Sequence, residues 1–535
     1  MNKKIVHSSW NCIAVLALLL TACLAIGADV AVRPETSAED ISSLLKLAES
    51  GNAKAQFNLG THYVRGIGVP QDNAMAATWF RKAAEQGLAT AQFMLGLCYE
   101  NGEGVAKDTT LAVTWYRKAA EQRLAQAQFQ LGLCYANGVA VLKDSAVSVM
   151  WYRKAAEQGL ADAQNNLGLC YANGVAVLKD AAMAVTWFRK AAEQGQIDAQ
   201  YMLGRCYFLG EGIAKDTSLA VMWFRKAAEQ GDGQAQNMLG RCFFLGEGIA
   251  KDASLAVMWF RKAAEQGQID AQYMLGRCYS EGEGVAKDAS LAVTWFRKAA
   301  EQGDGQAQYM LGRCYHMGEG VPQDHDLAVT WFRKAAEKGQ DEAQFMLGIS
   351  YNEGQGVPQD RVLAYTWWRK AAEQGHAIAQ LSIGVCYDTG KGVTKDADLA
   401  VTWYSKAAEQ GDADAQFALG LCYNAGKSVS QDNVFASSWF RKAAEQGHTK
   451  AQFSLGVYYV AGKGVPTDYV IASMWFNLCA KQGAEGQALT AEARDELSKV
   501  MTPEQIAEAQ RLSNEWKSTP TPIKPRDTKD KPSLW

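Results

Sequence analysis

No charge of one sign dominates this chain. Its 535 residues carry 54 Lys and Arg against 57 Asp and Glu, a formal net charge of −3. A nucleic-acid footprint calls for a basic stripe and a high pI, so no such partner is expected. Histidine is scarce: the six (His7, His62, His316, His325, His376 and His448) are scattered, with no pair at i, i+4. A metal site needs converging ligands, and His316 and His325 fall on opposite sides of a loop. No G-x-S-x-G elbow, phosphate-binding glycine loop or paired-carboxylate motif is present. Neither a metal, nor a cofactor, nor a catalytic constellation is therefore expected. Past residue 32 there is no apolar run long enough to span a membrane.

The first residues carry a separate signal. Lys3 and Lys4 form a basic n-region, and Ile13 to Leu20 form an apolar stretch of secretory-signal length. Leu20-Thr21-Ala22-Cys23 follows and resembles the lipobox of bacterial lipoproteins, which implies cleavage before Cys23 and lipidation of its thiol. Two other readings stay open. Ala25-Ile26-Gly27 offers an ordinary signal-peptidase site, and the run from Cys12 to Val32 suits an uncleaved anchor. All three place the rest of the chain outside the cytoplasm, in the periplasm or at the outer membrane, or secreted.

What the chain has in abundance is a period. Trp79, Trp115, Trp151, Trp187, Trp223, Trp259, Trp295, Trp331, Trp367, Trp403, Trp439 and Trp475 return every 36 residues in phrases close to WFRKAAEQG. A period of this size means a solenoid or array, not three or four globular domains. In the first half of a unit, Ala91, Leu95, Cys98 and Tyr99 fall at i, i+4, i+7 and i+8, on one helical face. In the second half, Ala112, Trp115, Tyr116 and Ala119 do the same at i, i+3, i+4 and i+7. Two such helices and a short loop make an αα-hairpin.

The punctuation fits. Gly102 to Asp108 reads G-x-G-V-x-x-D, with glycines for the turn and an Asp where an N-cap belongs, from Asp72 to Asp468. A glycine such as Gly87 or Gly159 closes the second helix. Arg123 replaces that closing glycine, and Ala140, Ala176 and Ser428 replace the second loop glycine; local strain is expected at each. The expected layout is a signal segment over 1–23, a linker over 24–36 and a capping helix over 37–51. Twelve repeats over 52–483 follow, then capping helices over 484–516 (Leu489 to Met501 and Thr502 to Trp516) and a disordered tail over 517–535.

A unit with A-x-x-x-L-G-x-x-Y, G-x-G-V-x-x-D and A-x-x-W-F-x-K-A-A-x-x-G resembles the Sel-1-like repeat, a relative of the tetratricopeptide repeat. The resemblance implies an all-α, right-handed α-solenoid of about twelve helix-turn-helix units that holds protein complexes together. Similar repeat lipoproteins scaffold envelope machinery, and others contact host proteins. A cysteine-rich secreted branch of the family is credited with penicillin binding or hydrolysis and staples each hairpin with two cysteines. Here Cys98, Cys134, Cys170, Cys206, Cys242, Cys278, Cys314, Cys386 and Cys422 occupy one position per unit. Stacked helices lie roughly 8–10 Å apart, beyond the ~7 Å limit for bridging α-carbons, so these read as buried free thiols. A β-lactamase-like hydrolase is thus the alternative function, without its framework.

Arg81 with Glu85, and their equivalents, read as i, i+4 pairs on a solvated helical face. The tryptophans read as filling between hairpins. Functional promise lies in the residues flanking L-G in the first helix, which by resemblance to tetratricopeptide arrays line the concave, partner-facing surface. The pairs Met202/Arg205, Met238/Arg241, Met274/Arg277 and Met310/Arg313 make a cationic, methionine-lined centre. Arginine suits the carboxylates of a protein or extended acidic peptide, or a polyanionic glycan, and Met adapts to varied partners. The expectation is a non-enzymatic scaffold that meets the membrane only through its N-terminal lipid or signal anchor. Oligomeric state is not encoded in any motif.

Overall fold

The computed structural model describes residues 38–516; the signal segment with Cys23 and the tail from 517 lie outside them. The described residues form 27 α-helices and no strand, paired as helix-turn-helix units in a solenoid. None of these helices is long and apolar enough to cross a membrane. The chain groups into two bodies that divide between Gln268 and Ile269. The first holds a lone helix, Ala38–Glu49, and then hairpins from Ala53–Arg65 with Asn73–Glu85 to Gly233–Leu245 with Ala253–Glu265. The second runs from Ile269–Glu281 with Ala289–Glu301 to Thr449–Ala461 with Tyr469–Ala480, and adds Ala484–Val500 and Pro503–Glu515. The first of those added helices starts before the expected Leu489. Gly486 allows the earlier start, because a Cβ there would overlap the carbonyl of Cys479.

One hairpin shows how the residues build the rest. The first helix, Ala89–Asn101, stops where Gly102 turns left-handed at φ 79° and its N–H donates to the Cys98 carbonyl. The loop returns at once, with Asp108 N–H bonded to the Tyr99 carbonyl at 2.9 Å. Asp108 then accepts from the N–H groups of Thr110 and Leu111, both at 2.9 Å, and so caps Thr109–Glu121. An Asp caps the second helix at every repeat from Asp72 to Asp468, accepting always from the N–H three residues on and in half of the repeats from the N–H before it as well.

The deepest side chain is not the tryptophan but the aromatic after it. Phe80, Tyr116, Phe188, Phe224, Phe260, Phe296 and Phe332 are fully buried, whereas Trp115, Trp151, Trp295, Trp331, Trp367, Trp403 and Trp439 are only half-buried. The tryptophan closes a cluster built on the first helix of its own hairpin: Trp223 is grouped with Ala199, Leu203 and Cys206, and with Phe188 of the hairpin before. Its outer face carries a lysine ammonium one helical turn on, at 3.9–4.4 Å from Trp79–Lys82 through Trp439–Lys442. The buried aromatic lies on the L-G glycine of its own hairpin. A Cβ on Gly96 would stand 2.6 Å from the Tyr116 ring and 3.3 Å from the Ala112 carbonyl.

The four departures from the glycine pattern are, among the described residues, the four non-glycine residues with positive φ: Arg123 at 67°, Ala140 and Ala176 at 54°, and Ser428 at 59°. A left-handed L-residue costs roughly 1–2 kcal/mol, part of which glycine gives back through its freer unfolded chain. Ala176→Gly is expected to stabilise its hairpin by about 0.5–1 kcal/mol. Thermal unfolding checks this, and no rise in Tm would contradict the strain.

Candidate partner-binding face

The first helix of each hairpin buries one face and leaves a stripe. In Ile197–Leu209, Ala199, Gln200, Leu203, Gly204 and Cys206 are buried. Asp198 is exposed, and Tyr201, Met202, Arg205 and Leu209 are half-exposed. The stripe therefore holds the residues on either side of L-G, as the pattern predicts.

The pairs within it are not equivalent. In the first body, Arg205 lies over the Tyr201 ring at 6.0 Å with Nη1 3.9 Å from the Met202 sulfur. Arg241 is half-buried and makes no hydrogen bond or ion pair among the described residues. Met238, expected in the groove, is instead a core residue, 3% exposed. Its helix buries a wider arc, Asn237 and Phe243 included, and the flexible thioether packs down into it. In the second body, Met274 and Met310 are half-exposed. Arg277 is spoken for by Glu281 on its own helix, at 3.0 Å. Arg313 is exposed and lies over the Tyr309 ring at 5.9 Å.

In the tenth unit the same two positions hold Ser382 and Val385, and a cavity of about 250 Å³ opens there. Arg361, Trp368, Leu381 and Lys391 complete most of its wall.

Two further sets of residues hold this face in place, and the sequence pattern does not announce either. The buried Gln of the A-Q pair donates to the preceding helix end, as Gln200 Nε2 does to the Ala192 carbonyl at 3.2 Å. Its Oε1 accepts from the Gln that ends the second helix. In the first body this recurs at 2.7–2.8 Å from Gln86–Gln56 to Gln266–Gln236. In the second body it recurs at 2.6–2.8 Å for Gln302–Gln272, Gln374–Gln344, Gln410–Gln380 and Gln446–Gln416. At Gln308 the donor is missing: Lys338 takes its place and bonds the Gly303 carbonyl, leaving Gln308 Oε1 buried without a partner. The signal available was the constancy of both glutamines, 30 residues apart.

The second set corrects an expectation. Arg81, Arg117, Arg153, Arg189, Arg297 and Arg333 do not pair with Glu on their own helix; each donates to the Tyr hydroxyl of the following hairpin at 2.7–3.2 Å. The tyrosine lies across the joint at a fixed height, and a neutral hydroxyl there spares the arginine a solvent-screened ion pair. The i, i+4 pair does form at Arg369–Glu373, at 2.8 Å, where Tyr365 bonds the Tyr387 hydroxyl instead.

Comparison with known proteins follows this geometry. The Sel1 repeat family model matches twelve consecutive segments, from residues 53–88 to 449–483. The chain belongs to the Sel1 repeat family. A solved structure of a protective antigen of uropathogenic Escherichia coli, displaying an SLR fold, is 39% identical with a TM-score of 0.76, over 82% of this chain and 94% of that one. A Sel1 repeat protein from Oxalobacter formigenes is 34% identical with a TM-score of 0.44, over 65% of this chain and 96% of that one. No curated protein matches. The Sel1 repeat is a scaffold architecture typical of protein-interaction adaptors.

No disulfide joins the thiols of these Sel1 repeats among the described residues, and all but the half-buried Cys170 are buried. Burial pushes Cys206 and Cys314 up to about 11, and Cys134 and Cys242 up to about 12, from an ordinary 9.0. They are protonated at neutral pH and poor nucleophiles. Because the unfolded thiols lose their protons first, stability is full below about pH 9 and falls as pH rises toward 12. Native protein at pH 8 is expected to resist maleimide until denaturant is added. Rapid labelling of most thiols in native protein would contradict their burial.

His316 and His325 are closer than the sequence suggests. The loop folds back, and the rings meet edge to face at 5.2 Å. Among the described residues no group of three or more His, Cys, Asp or Glu is arranged to hold a metal.

Proposed function

We propose that this Sel1 repeat protein is an exported, non-enzymatic adaptor that binds a protein or extended acidic peptide along the stripe of its first helices. The observation that carries the reading is Arg241. A half-buried guanidinium with no ion-pair partner in its own fold bears a solvation cost, and a partner's carboxylate offsets it in bidentate geometry. Arg205, held against Tyr201 and Met202, extends the same stripe.

A photo-crosslinker at Met202, in cells, tests this. The double variant Arg205→Glu/Arg241→Glu is expected to lose captured protein at least tenfold while keeping its Tm. Unchanged capture would overturn the reading. So would release by a sulfated glycan with no protein captured.

The leader supports export, and Leu20-Thr21-Ala22-Cys23 supports a lipid anchor. Cys23→Ser is expected to move the protein from the membrane to the soluble fraction. A soluble wild type would replace the anchor with simple secretion.

A further inference from the structure

We infer that the cavity between the ninth and tenth repeats takes a carboxylate joined to an apolar residue, as a partner's chain end or acidic side chain presents it. This rests on the adaptor reading and names the chemistry of one of its contact points.

The neighbouring repeat supplies the internal comparison. There Lys427 of the loop pairs with Asp388 on the first helix of the preceding hairpin. One period earlier the same two positions hold Lys391 and Asn352, and both line the cavity. Asparagine keeps the shape and removes the charge, so the lysine lacks the carboxylate that its counterpart has.

A second cation joins it. Arg361 starts the helix Arg361–Glu373, at a position where the other repeats have Asn, Thr, Ser, Ala, His or Tyr. Both side chains are exposed, and neither has an ion-pair partner among the described residues. The backbone brings them together: a Cβ on Gly392, next to Lys391, would overlap the Arg361 carbonyl and reach the Tyr365 Cβ at 3.3 Å. No Asp or Glu lines the cavity.

The floor is apolar for equally local reasons. Leu381 stands where other repeats place Phe, Tyr or Asn, and Ser382 stands where several place Met, which leaves room. Trp368 replaces the usual Phe or Tyr, and its indole N–H is already given to the Phe345 carbonyl at 3.2 Å. The hydroxyls of Ser382 and Thr389 donate to carbonyls of their own helix, at 2.9 and 2.7 Å. The donors left for a ligand are therefore the two cations and the Asn352 amide, set beside Trp368, Leu381 and Val385. At about 250 Å³ the space is below the roughly 300–1,000 Å³ of drug-sized sites, and suits a single residue.

Calorimetry on the full chain tests it with N-acetyl-leucine, its amide, N-acetyl-glutamate α-amide and inorganic phosphate. Binding of N-acetyl-leucine (a chain end) or of the glutamate probe (a side chain) supports the site, and the stronger of the two identifies the source. The leucine amide and phosphate are expected to bind at least tenfold more weakly than that probe. Arg361→Ala and Lys391→Ala are each expected to weaken it about tenfold. Asn352→Asp restores the internal partner of Lys391, so it is expected to weaken the probe similarly without lowering Tm. Equal binding of the amide or of phosphate, indifference to Asn352→Asp, or no binding by either carboxylate probe would overturn the inference. Capture that still depends on Arg205 and Arg241 would then leave the adaptor reading standing.

Discussion

Gly348→Ala is expected to destabilise the ninth hairpin by about 3 kcal/mol, although the same exchange in an open helix stabilises by roughly 1 kcal/mol. The added methyl would overlap Cδ1 and Nε1 of Trp368, with Cγ at 2.9 Å. That ring borders the tenth-repeat cavity, but it is tied where it stands. Trp368 is 8% exposed, and its Nε1 is bonded to the Phe345 carbonyl at 3.2 Å, so moving it also breaks a partly buried hydrogen bond. Overpacking of this kind typically costs about 1–3 kcal/mol, and a lost hydrogen bond adds about 1. Amide exchange is the informative measurement, because stability in a repeat array is local. Protection should fall across residues 341–376 and persist at 413–448. Undiminished protection in the ninth repeat would show that the aromatic is not pressed against the glycine as described.

Gln236→Leu is the second large effect, with an expected loss of about 2–4 kcal/mol. The volume is nearly conserved, so a simple hydrophobic reading of a buried helix predicts little change. Here the amide nitrogen donates to the Ala228 carbonyl at 3.1 Å, and the oxygen accepts from Gln266 at 2.8 Å. Leucine leaves both groups buried and unanswered, at about 1–3 kcal/mol each, the outer one less because Gln266 is partly solvated. The converse change is available at the break. Lys338→Gln restores a donor to the orphaned Gln308 oxygen and is expected to raise stability by about 1 kcal/mol. Denaturant unfolding of both variants decides the matter. A neutral Gln236→Leu would mean that water already serves these groups.

These two sites mark where sequence reading succeeds and where it stops. The hairpins, their aspartate caps and the four strained turns at Arg123, Ala140, Ala176 and Ser428 are local events, each encoded within a few residues. The relation between Gln266 and Gln236 spans 30 residues and two helices, and glutamine in a helix ordinarily reads as surface. Arg81 misleads for the same reason: its nearest acid in the chain is Glu85, while its partner in space is Tyr99. Of the proposed contact residues, Arg205 and Arg313 lie on the stripe as the spacing requires. Met238 and Arg277 do not serve as expected, because depth and pairing depend on Asn237, Phe243 and Glu281, outside the repeated motif. The tenth-repeat cavity escaped notice because it arises from several small departures (Asn352, Arg361, Leu381, Ser382) that mean little one at a time.

The uniformity of the joints has a consequence for inheritance. Within the first body each hairpin offers its successor the same acceptor, an alanine carbonyl, and at the first four joints the same arginine donor. Excising residues 161–196 would bring Gln200 to the Ala156 carbonyl and Tyr207 to Arg153, in place of Gln164 and Tyr171. No new kind of contact would be needed. A gene of this form can therefore gain or lose whole units by unequal recombination and still encode a folded product, so its length is free to drift between strains while the joint itself is held fixed.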